Sequence, residues 1–193
     1  MKQNLKYHAI TISGKVAVGT STLAENLRKV LDWKYINVGD IQRSYDRENK
    51  INENGQGATN RPDKHEESID DMTKRVLAGE KNIIYEAWLA GFMAQDISGV
   101  LKVLLFCSED AVRVDRVANR DHVSIEEAKK WLKQRENENL VKWQKLYGKH
   151  NFWDPQSKFY DLVIDTYSSG PHETVGKVLD KLGYKNDRDN LPK

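Results

Sequence analysis

Several residue types are scarce in this chain, and each scarcity excludes a class of structure or function. The 193 residues include one cysteine, so no internal disulfide can form. Basic and acidic residues nearly balance, 31 against 29, and a formal net charge of +2 gives no reason to expect binding to nucleic acid or to a membrane. No apolar run is long enough for a membrane span or a signal peptide. We therefore expect a cytoplasmic protein.

Residues that commonly carry metal or nucleophile chemistry are also sparse. The five histidines are scattered and lack the spacing of a zinc site, and no Ser/His/Asp pattern stands out. Cys107 ends an apolar run and is predicted to be a small buried hydrophobe, since no histidine or cationic pair stands beside it. A content of 38% hydrophobic and 31% charged residues, at this length, indicates one folded globular domain.

Strand-like and helix-like segments alternate along the chain. Short β-branched or apolar strands are predicted at residues 8–13, 34–38, 82–86, 100–107 and 162–165. Helices are predicted at residues 20–31, 41–50, 65–77, 124–147 and 173–182, with a further helix capped by Ser108. Ser124 and Glu127 form a capping-box signature at the start of the long helix. This order predicts βαβ units and therefore an α/β fold with a parallel sheet and helices on both faces.

The segment 10–27, ITISGKVAVGTSTLAENL, carries the most informative pattern. Gly14 and Gly19 stand at G-x-x-x-x-G spacing between a strand and a helix, as in a phosphate-binding loop. Such a loop wraps a phosphate with backbone N–H groups, and the helix points its positive end at the same anion. The expected phosphate-binding residues are Gly14, Lys15, Val16, Ala17, Val18, Gly19, Thr20, Ser21 and Thr22. The alternative, a glycine turn that binds nothing, is disfavoured by the flanking elements and the three hydroxyls.

The loop departs from the Walker A motif at Thr20, where the motif has lysine. Losing one such cation costs about 10²–10³ in rate unless another group replaces it. Lys15 matches the position of the signature lysine in the deviant Walker A ATPases, and one hypothesis is that it reaches a nucleotide on a second subunit. Arginines elsewhere in the chain are the other candidate source of charge. Ser21 follows the lysine position and is expected to ligate Mg²⁺.

Beyond the loop, the chain resembles the cytidylate kinases, especially those of the archaeal type. The segments that carry the resemblance are INVGDIQRS, NIIYEAWLAG, SEDAVRVDRVANRDHVSIEEAKKWLKQREN and YDLVIDT. Archaeal-type members often have Gly-Thr-Thr-Thr where others have Gly-Lys-Ser/Thr, which fits Thr20. The resemblance runs from near residue 8 to near residue 183, with a gap at about 50–80.

This resemblance implies a P-loop fold with a five-stranded parallel sheet, organised as one domain over residues 1–193. A region that binds the nucleoside monophosphate is expected at about 40–80, a lid with its flanking helices at about 113–147, and a polar tail at 185–193. The implied reaction is transfer of the ATP γ-phosphoryl group, with Mg²⁺, to a nucleoside monophosphate, CMP or dCMP above others.

The resemblance also assigns roles on the acceptor side. Asp40 and Arg43 match the signature that holds the acceptor's phosphate, although a helix N-terminus with a surface arginine is the alternative. Glu86 ends a buried strand and is expected to bind Mg²⁺ through water, against the alternative of a solvated strand end. The family motif Glu-Gly-Arg is here Glu86-Ala87-Trp88, so Trp88 stacks on a base or belongs to the core.

Lid arginines complete the implied catalytic set, which comprises Lys15, Arg116, Arg120 and Arg135. Phosphoryl transfer depends on positioning and charge neutralisation, which such arginines supply. The alternative, a solvated basic face, is the interpretation adopted for Arg113. The family often has Arg-Tyr where this chain has Lys142-Trp143, and a lysine keeps the charge but loses the planar fork.

Two rival functions remain open at this point. The absent arginine after Glu86 favours a kinase for another small acceptor. The departures at Thr20, at residues 87–88 and at Lys142 together favour a nucleotide-binding protein with little turnover. The expected partners are nucleotides, not nucleic acid or a membrane, and a monomer is expected with a dimer as the alternative.

Overall fold

A computed structural model describes residues 5–51 and 58–185. The strands of the described residues form one sheet in the spatial order β2-β3-β1-β4-β5, and all neighbouring strands run parallel. They are β1 (Ala9–Gly14), β2 (Lys34–Asn37), β3 (Ile83–Glu86), β4 (Val100–Phe106) and β5 (Leu162–Asp165). The predicted five-stranded parallel sheet is therefore confirmed, with strand ends within two residues of those expected.

Helices connect consecutive strands. They are α1 (Thr20–Leu31), α2 (Val38–Glu48), α3 (Asp63–Gly79), α4 (Ala90–Met93), α5 (Asp110–Asp121), α6 (Ile125–Tyr147) and α7 (Pro171–Leu182), with a 3₁₀ turn at Ala58–Asn60. α1 begins and ends where the periodicity predicts. α2 starts earlier than predicted because Asn37 caps it, accepting a bond from the backbone N–H of Asp40 at 3.3 Å. α4 was not predicted, since four residues are too few to establish a period. No helix among the described residues has the length and apolar content to cross a membrane.

Two helix caps were predicted, one for α5 and one for α6, and only the second is confirmed. Ser124 forms the expected capping box at the start of α6. Ser108 does not cap α5: the side chain of Glu109 does, and the Ser108 hydroxyl instead donates to Asp165 at 2.6 Å. Cys107 is half-buried, not buried as predicted, and its thiol lies 3.2 Å from the backbone oxygen of Glu109. Half of the predicted loop 51–62, namely residues 52–57, and nearly all of the predicted tail 185–193 lie outside the described residues.

Strand β1 occupies the centre of the sheet, and this position determines where the phosphate loop lies. All six residues of β1 are buried, because helices cover both faces of a parallel sheet. Ile10 and Ile12 pack with α1 and α7 on one face, while Ala9 packs with α3 and α4 on the other. Ile12 pairs with Glu86 of β3, so the loop after β1 and the carboxylate that ends β3 emerge at the same edge.

Candidate functional site

Two glycines permit the turn between β1 and α1. Gly19 is the N-cap of α1 and has φ of 95°, in the left-handed region that favours glycine. Gly14 has no room for a side chain: a Cβ there would lie 2.6 Å from Cγ2 of Val18 and 2.7 Å from the backbone oxygen of Leu105. α1 has no capping side chain and no acidic residue in its first turn, which leaves its terminal N–H groups available to an anion.

The turn borders a pocket, called here the phosphate pocket. From the loop it is lined by Gly14, Lys15, Val16, Ala17, Gly19, Thr20, Ser21 and Thr22. Val18 is the exception among the predicted loop residues, because its side chain is 2% exposed and packs in the core beside α1. The remaining lining residues are Asn37, Gly39, Arg43, Glu86, Ala87, Trp88, Arg116, Arg120 and Arg135. The fold thus brings the four arginines singled out in the sequence to the loop.

Ser21 and Glu86, 65 residues apart, meet at the floor of this pocket. The Ser21 hydroxyl donates to Oε1 of Glu86 at 2.7 Å, and the Tyr35 hydroxyl donates to Oε2. Glu86 is 8% exposed, so the alternative of a solvated strand end is wrong. Burial, together with the bond to Glu86, raises the pKa of Tyr35, which therefore remains a donor.

The oxygen atoms of Ser21 and Glu86 are of the hard type that Mg²⁺ prefers. Within residues 5–51 and 58–185, no group of three His, Cys, Asp or Glu side chains is arranged to hold a metal ion. A cation at Ser21 and Glu86 would therefore take its other ligands from phosphate oxygens and water, which is the usual habit of Mg²⁺ in phosphoryl-transfer sites. The residues present fit such an ion.

Arg43 lies on α2 with its guanidinium at the phosphate pocket, where it forms an ion pair with Asp40 one turn earlier. Asp40 is 69% exposed at its side chain and lines none of the pockets described here, so it contacts the site through Arg43. An exposed ion pair of this kind contributes at most about 1 kcal/mol. A phosphate that displaced Asp40 from Arg43 would therefore lose little free energy by breaking it.

Arg116 and Arg120 share a helix face but differ in their contacts. Arg116 donates to the backbone oxygen of Ala17 at 3.0 Å and to that of Thr166 at 3.2 Å, which ties the phosphate loop to the segment after β5. Arg120 forms two bonds of 2.7 Å to its neighbour Asp121, and these bonds raise the pKa of Arg120. Arg116 therefore supports the loop, whereas the charge of Arg120 is at present held by a carboxylate.

Arg135 lies on α6, and its guanidinium carbon is 5.8 Å from the centre of the Trp88 ring. In the described part of the chain no ion pair engages it. Burial and the nearby charges of Arg43, Arg61 and Arg120 lower the pKa of Arg135 to about 10. It is therefore still charged at neutral pH, as a cation among cations, and an anion bound between them would relieve the repulsion.

Lys15 is the one lysine of the loop, and a carboxylate on α6 holds it. Its Nζ lies 3.3 Å from Oε2 of Glu136 and 5.6 Å from the centre of the Trp153 ring. Burial first, and then the charge of Arg113, lower the pKa of Lys15. The phosphate loop and α6 are thus linked through a cation that must exchange partners if it is to reach a phosphate.

A second pocket, called here the acceptor pocket, opens beside the first. It is lined by Val38, Gly39, Gln42, Arg43, Arg61, Glu66, Ile69, Asp70, Thr73, Ala87, Trp88, Leu89, Ala90, Met93, Arg135, Asn139 and Trp143. The rings of Trp88 and Trp143 meet edge to face with centroids 5.6 Å apart. Gly39, Arg43, Ala87, Trp88 and Arg135 line both pockets, so the two form one continuous cleft.

Comparison with known proteins agrees with this geometry. The model of the cytidylate kinase-like family matches residues 9–168. A cytidylate kinase of Methanothrix thermoacetophila is 37% identical over 159 residues, which cover 81% of this chain and 87% of the relative. One of Thermococcus sibiricus is 34% identical over 164 residues, covering 84% and 81% respectively. The chain belongs to the cytidylate kinase-like family. The resemblance read from the motifs is confirmed, and family membership makes the protein a nucleotide kinase.

Solved structures agree on the fold of this family member. A gluconokinase from Sinorhizobium meliloti 1021 superimposes with a TM-score of 0.60 at 14% identity, covering 92% of this chain and 93% of that one. At such low identity the likeness concerns the fold alone, which is that of the P-loop kinases.

Arg113 contacts the phosphate loop, a role that its sequence position did not predict. The prediction of a solvated basic face is wrong for it, because Arg113 is 6% exposed. It donates to the backbone oxygen of Val16 at 3.1 Å and forms ion pairs with Asp110 and Glu136. Arg113 thus holds the loop in place without lining the phosphate pocket. Sequence held no signal of this, since Val16 lies 97 residues away.

The structure also explains what Lys142 and Trp143 do where the family often has Arg-Tyr. Lys142 is 6% exposed and lines neither part of the cleft; it donates to the backbone oxygen of Arg61 at 2.8 Å and pairs with Asp63. Trp143 lines the acceptor pocket, and its indole N–H lies 3.4 Å from Oε2 of Glu66. Lysine is therefore used here to hold the start of α3 against α6.

Proposed function

We propose that this kinase transfers the γ-phosphoryl group of ATP to a nucleoside monophosphate, with CMP or dCMP as the preferred acceptor. The observation that carries the proposal is the continuous cleft: a loop of backbone donors and arginines at one end, an aromatic pocket at the other, and Arg43, Trp88 and Arg135 between them. The names of the relatives support CMP as acceptor at the level of the family.

On the donor side, backbone N–H groups of residues 14–22 would hold the β- and γ-phosphates at the N-terminus of α1. Ser21 and Glu86 would hold Mg²⁺, which would supply positive charge against the phosphates. Tyr35 and Ser21 already orient both oxygens of Glu86, so this carboxylate is pre-organised for its task.

On the acceptor side, Arg43 would grip the phosphate of the nucleoside monophosphate in exchange for Asp40, and Trp88 would lie against the base. An oxygen of that phosphate attacks the γ-phosphorus in line, the bond to the β-phosphate oxygen breaks, and ADP leaves. No side-chain nucleophile is needed, because positioning and electrostatic stabilisation provide the rate. Arg135 and Arg120 would stabilise the charge on the transferred group, while Arg116 holds the loop.

In this proposal the region 40–80 carries the acceptor and the region 113–147 acts as the lid. Lys15 would replace the lysine that Thr20 lacks, by leaving Glu136 for the phosphates when ATP binds. Glu136 would not lose all its charge compensation, because Arg113 also pairs with it.

The test is a coupled assay of diphosphate formation with ATP and Mg²⁺ across CMP, dCMP, UMP, AMP, GMP and dTMP. We expect turnover with CMP or dCMP above all others. Turnover confined to a different acceptor would favour the rival motivated by Trp88. ATP binding without turnover of any acceptor would favour the rival motivated by Thr20, a nucleotide-binding protein with little catalytic activity.

A further inference from the structure

Three cations that line the phosphate pocket are each held by a carboxylate of the chain itself. The pairs are Arg43 with Asp40, Arg120 with Asp121 and Lys15 with Glu136. In the first two pairs the carboxylate is a close neighbour in the sequence, on the same helix. Lys15 is different, because its carboxylate comes from α6. Of the three, this pair alone joins the phosphate loop to the helix that carries Arg135.

The position of Glu136 is fixed by a second cation, which is buried. Arg113 is 6% exposed and forms an ion pair with Oε1 of Glu136, while its own Nε donates to the backbone oxygen of Val16 at 3.1 Å. The side chain of Glu136 is itself only 18% exposed, so water screens its charge poorly. Because Arg113 holds it, Glu136 stays in place when Lys15 leaves and remains available to take it back.

Lys15 stands between this fixed carboxylate and the phosphate pocket. Its side chain is 38% exposed and lines the pocket, whereas Glu136 and Arg113 line none of the pockets described here. Its Nζ lies 3.3 Å from Oε2 of Glu136, which is longer than a strong charge-assisted bond and leaves the contact open to exchange. An ammonium group carries a single charge, so a phosphate gains the charge of Lys15 only to the extent that Glu136 gives it up.

We propose that Glu136 is a positioning residue for the donor nucleotide: it holds Lys15 in the empty site and competes with the phosphates of ATP for that cation. This inference rests on the proposed function, since it assumes that ATP occupies the phosphate loop. Glu136 takes no part in the bond that forms or the bond that breaks. Its effect is to keep the affinity for the nucleotide below the value that the loop alone would give, which also favours release of ADP after transfer.

The experiment measures equilibrium binding of ATP with Mg²⁺ by isothermal titration calorimetry, without acceptor, to the wild type and to Glu136→Gln. Glutamine keeps the size of the side chain and an oxygen for Arg113, but it removes the negative charge. We expect Kd for ATP to fall by about tenfold, because one charge-assisted contact no longer has to be broken. Glu126→Gln is the matched control. Glu126 lies on the same helix with its side chain 84% exposed and lines no described pocket, so Kd should stay within about twofold of the wild type.

A double-mutant cycle separates competition for Lys15 from a general electrostatic effect. Removing any negative charge near the loop would favour ATP somewhat, and that effect does not need Lys15. Glu136→Gln is therefore also measured in the background of Lys15→Ala, where we expect it to change Kd by less than about twofold. An equal gain in both backgrounds overturns the proposal, because Glu136 would then act on ATP without Lys15.

A fall in Kd of less than about threefold in a folded E136Q variant, or a rise, also overturns the proposal. A merely structural role predicts a rise, since a damaged loop binds ATP less tightly. If E136Q fails to fold, Glu136→Asp keeps a carboxylate for Arg113 but shortens its reach to Lys15, and the same direction and limit apply. A wild type that binds no ATP overturns the proposed function together with this inference. Unchanged affinity in E136Q, by contrast, leaves the kinase activity in place and removes only the competition.

Discussion

The phosphate pocket takes half of its lining from one contiguous stretch of chain, whereas the acceptor pocket takes its walls from α2, α3 and α6 and the segment after β3. The first pocket uses backbone N–H groups and presents several cations. The second uses side chains, is walled by apolar and aromatic groups, and has two carboxyl groups at the α3 wall. The difference suits the proposed ligands: every phosphate needs the same donors, while a base has to be distinguished from similar bases.

The contrast teaches where specificity can vary in this fold. A loop that binds through its backbone tolerates changes of side chain, which accounts for a phosphate pocket that keeps its form with Thr20 in place of lysine. A pocket defined by side chains depends on each of them. Variants of the two pockets should therefore differ in kind, the first set changing rate and metal dependence and the second changing preference and stability.

Arg135 belongs to both pockets, so its removal should have the largest effect. In the proposed reaction Arg135 lies beside the transferred group, so kcat of Arg135→Ala should fall by about 10²–10³. Steady-state kinetics with saturating ATP and CMP measure this. Lys133→Ala, two residues earlier on the same helix and exposed, should stay within about twofold of the wild type. A small loss in R135A would show that the charge of Arg135 does not act on the reaction.

Glu86 should affect the metal requirement more than nucleotide affinity. In Glu86→Gln the carboxylate charge is lost, and the Mg²⁺ concentration for half-maximal rate should rise by about 10- to 100-fold. A Mg²⁺ titration of the rate checks this. Tyr35→Phe, which leaves the carboxylate in place but removes one of its donors, should produce a smaller shift in the same direction. An unchanged Mg²⁺ dependence in E86Q would argue against the metal role.

The carboxyl group of Asp70 should lower the free energy of unfolding at neutral pH, because it is buried in the wall of the acceptor pocket. Its pKa is raised from 3.8 to about 7 in the folded state, so the folded protein retains this proton over a pH range in which the unfolded chain has lost it. The wild type therefore loses stability between about pH 4 and pH 7. Asp70→Asn removes the charge, and its free energy of unfolding should exceed that of the wild type by on the order of 1–3 kcal/mol above pH 7.

Denaturant unfolding at pH 4, 5.5 and 7.5 measures this difference, which should be near zero at the lowest pH. D71N should show no such pH-dependent gain, since Asp71 is exposed. A constant difference between D70N and the wild type at all three values would contradict the assignment of the raised pKa.

Lys15 should show the smallest effect, because it has to leave Glu136 to act. Lys15→Ala should raise KM for ATP by about tenfold through the loss of one charge-assisted contact, with little change in KM for CMP. Lys29→Ala, on the exposed face of α1, is the control for general loss of positive charge. Unchanged kinetics in K15A would show that the arginines alone replace the missing lysine.

Much of the fold could be predicted because its signals lie between residues that are close together in the sequence. Strand β1 and helix α1 could be predicted because an uninterrupted buried strand, two glycines at fixed spacing and a regular helical period are all encoded within about twenty residues. The capping box at Ser124 and the sheet of five parallel strands followed from equally local signals. The misassigned cap at Ser108 shows the limit, because that hydroxyl is taken by Asp165, 57 residues later.

The sequence by itself determined the phosphate loop, the alternation of strands and helices, and the family. Only the tertiary structure decided that Ser21 and Glu86 touch, that Arg113 is buried and bonded to the loop, and that Glu136 engages Lys15. The same holds for Oδ2 of Asp70, which is buried and has no hydrogen-bond partner among the described residues. The physical reason is that backbone conformation is set by neighbours in the chain, whereas burial and pairing of charges depend on which distant elements the sheet order brings together.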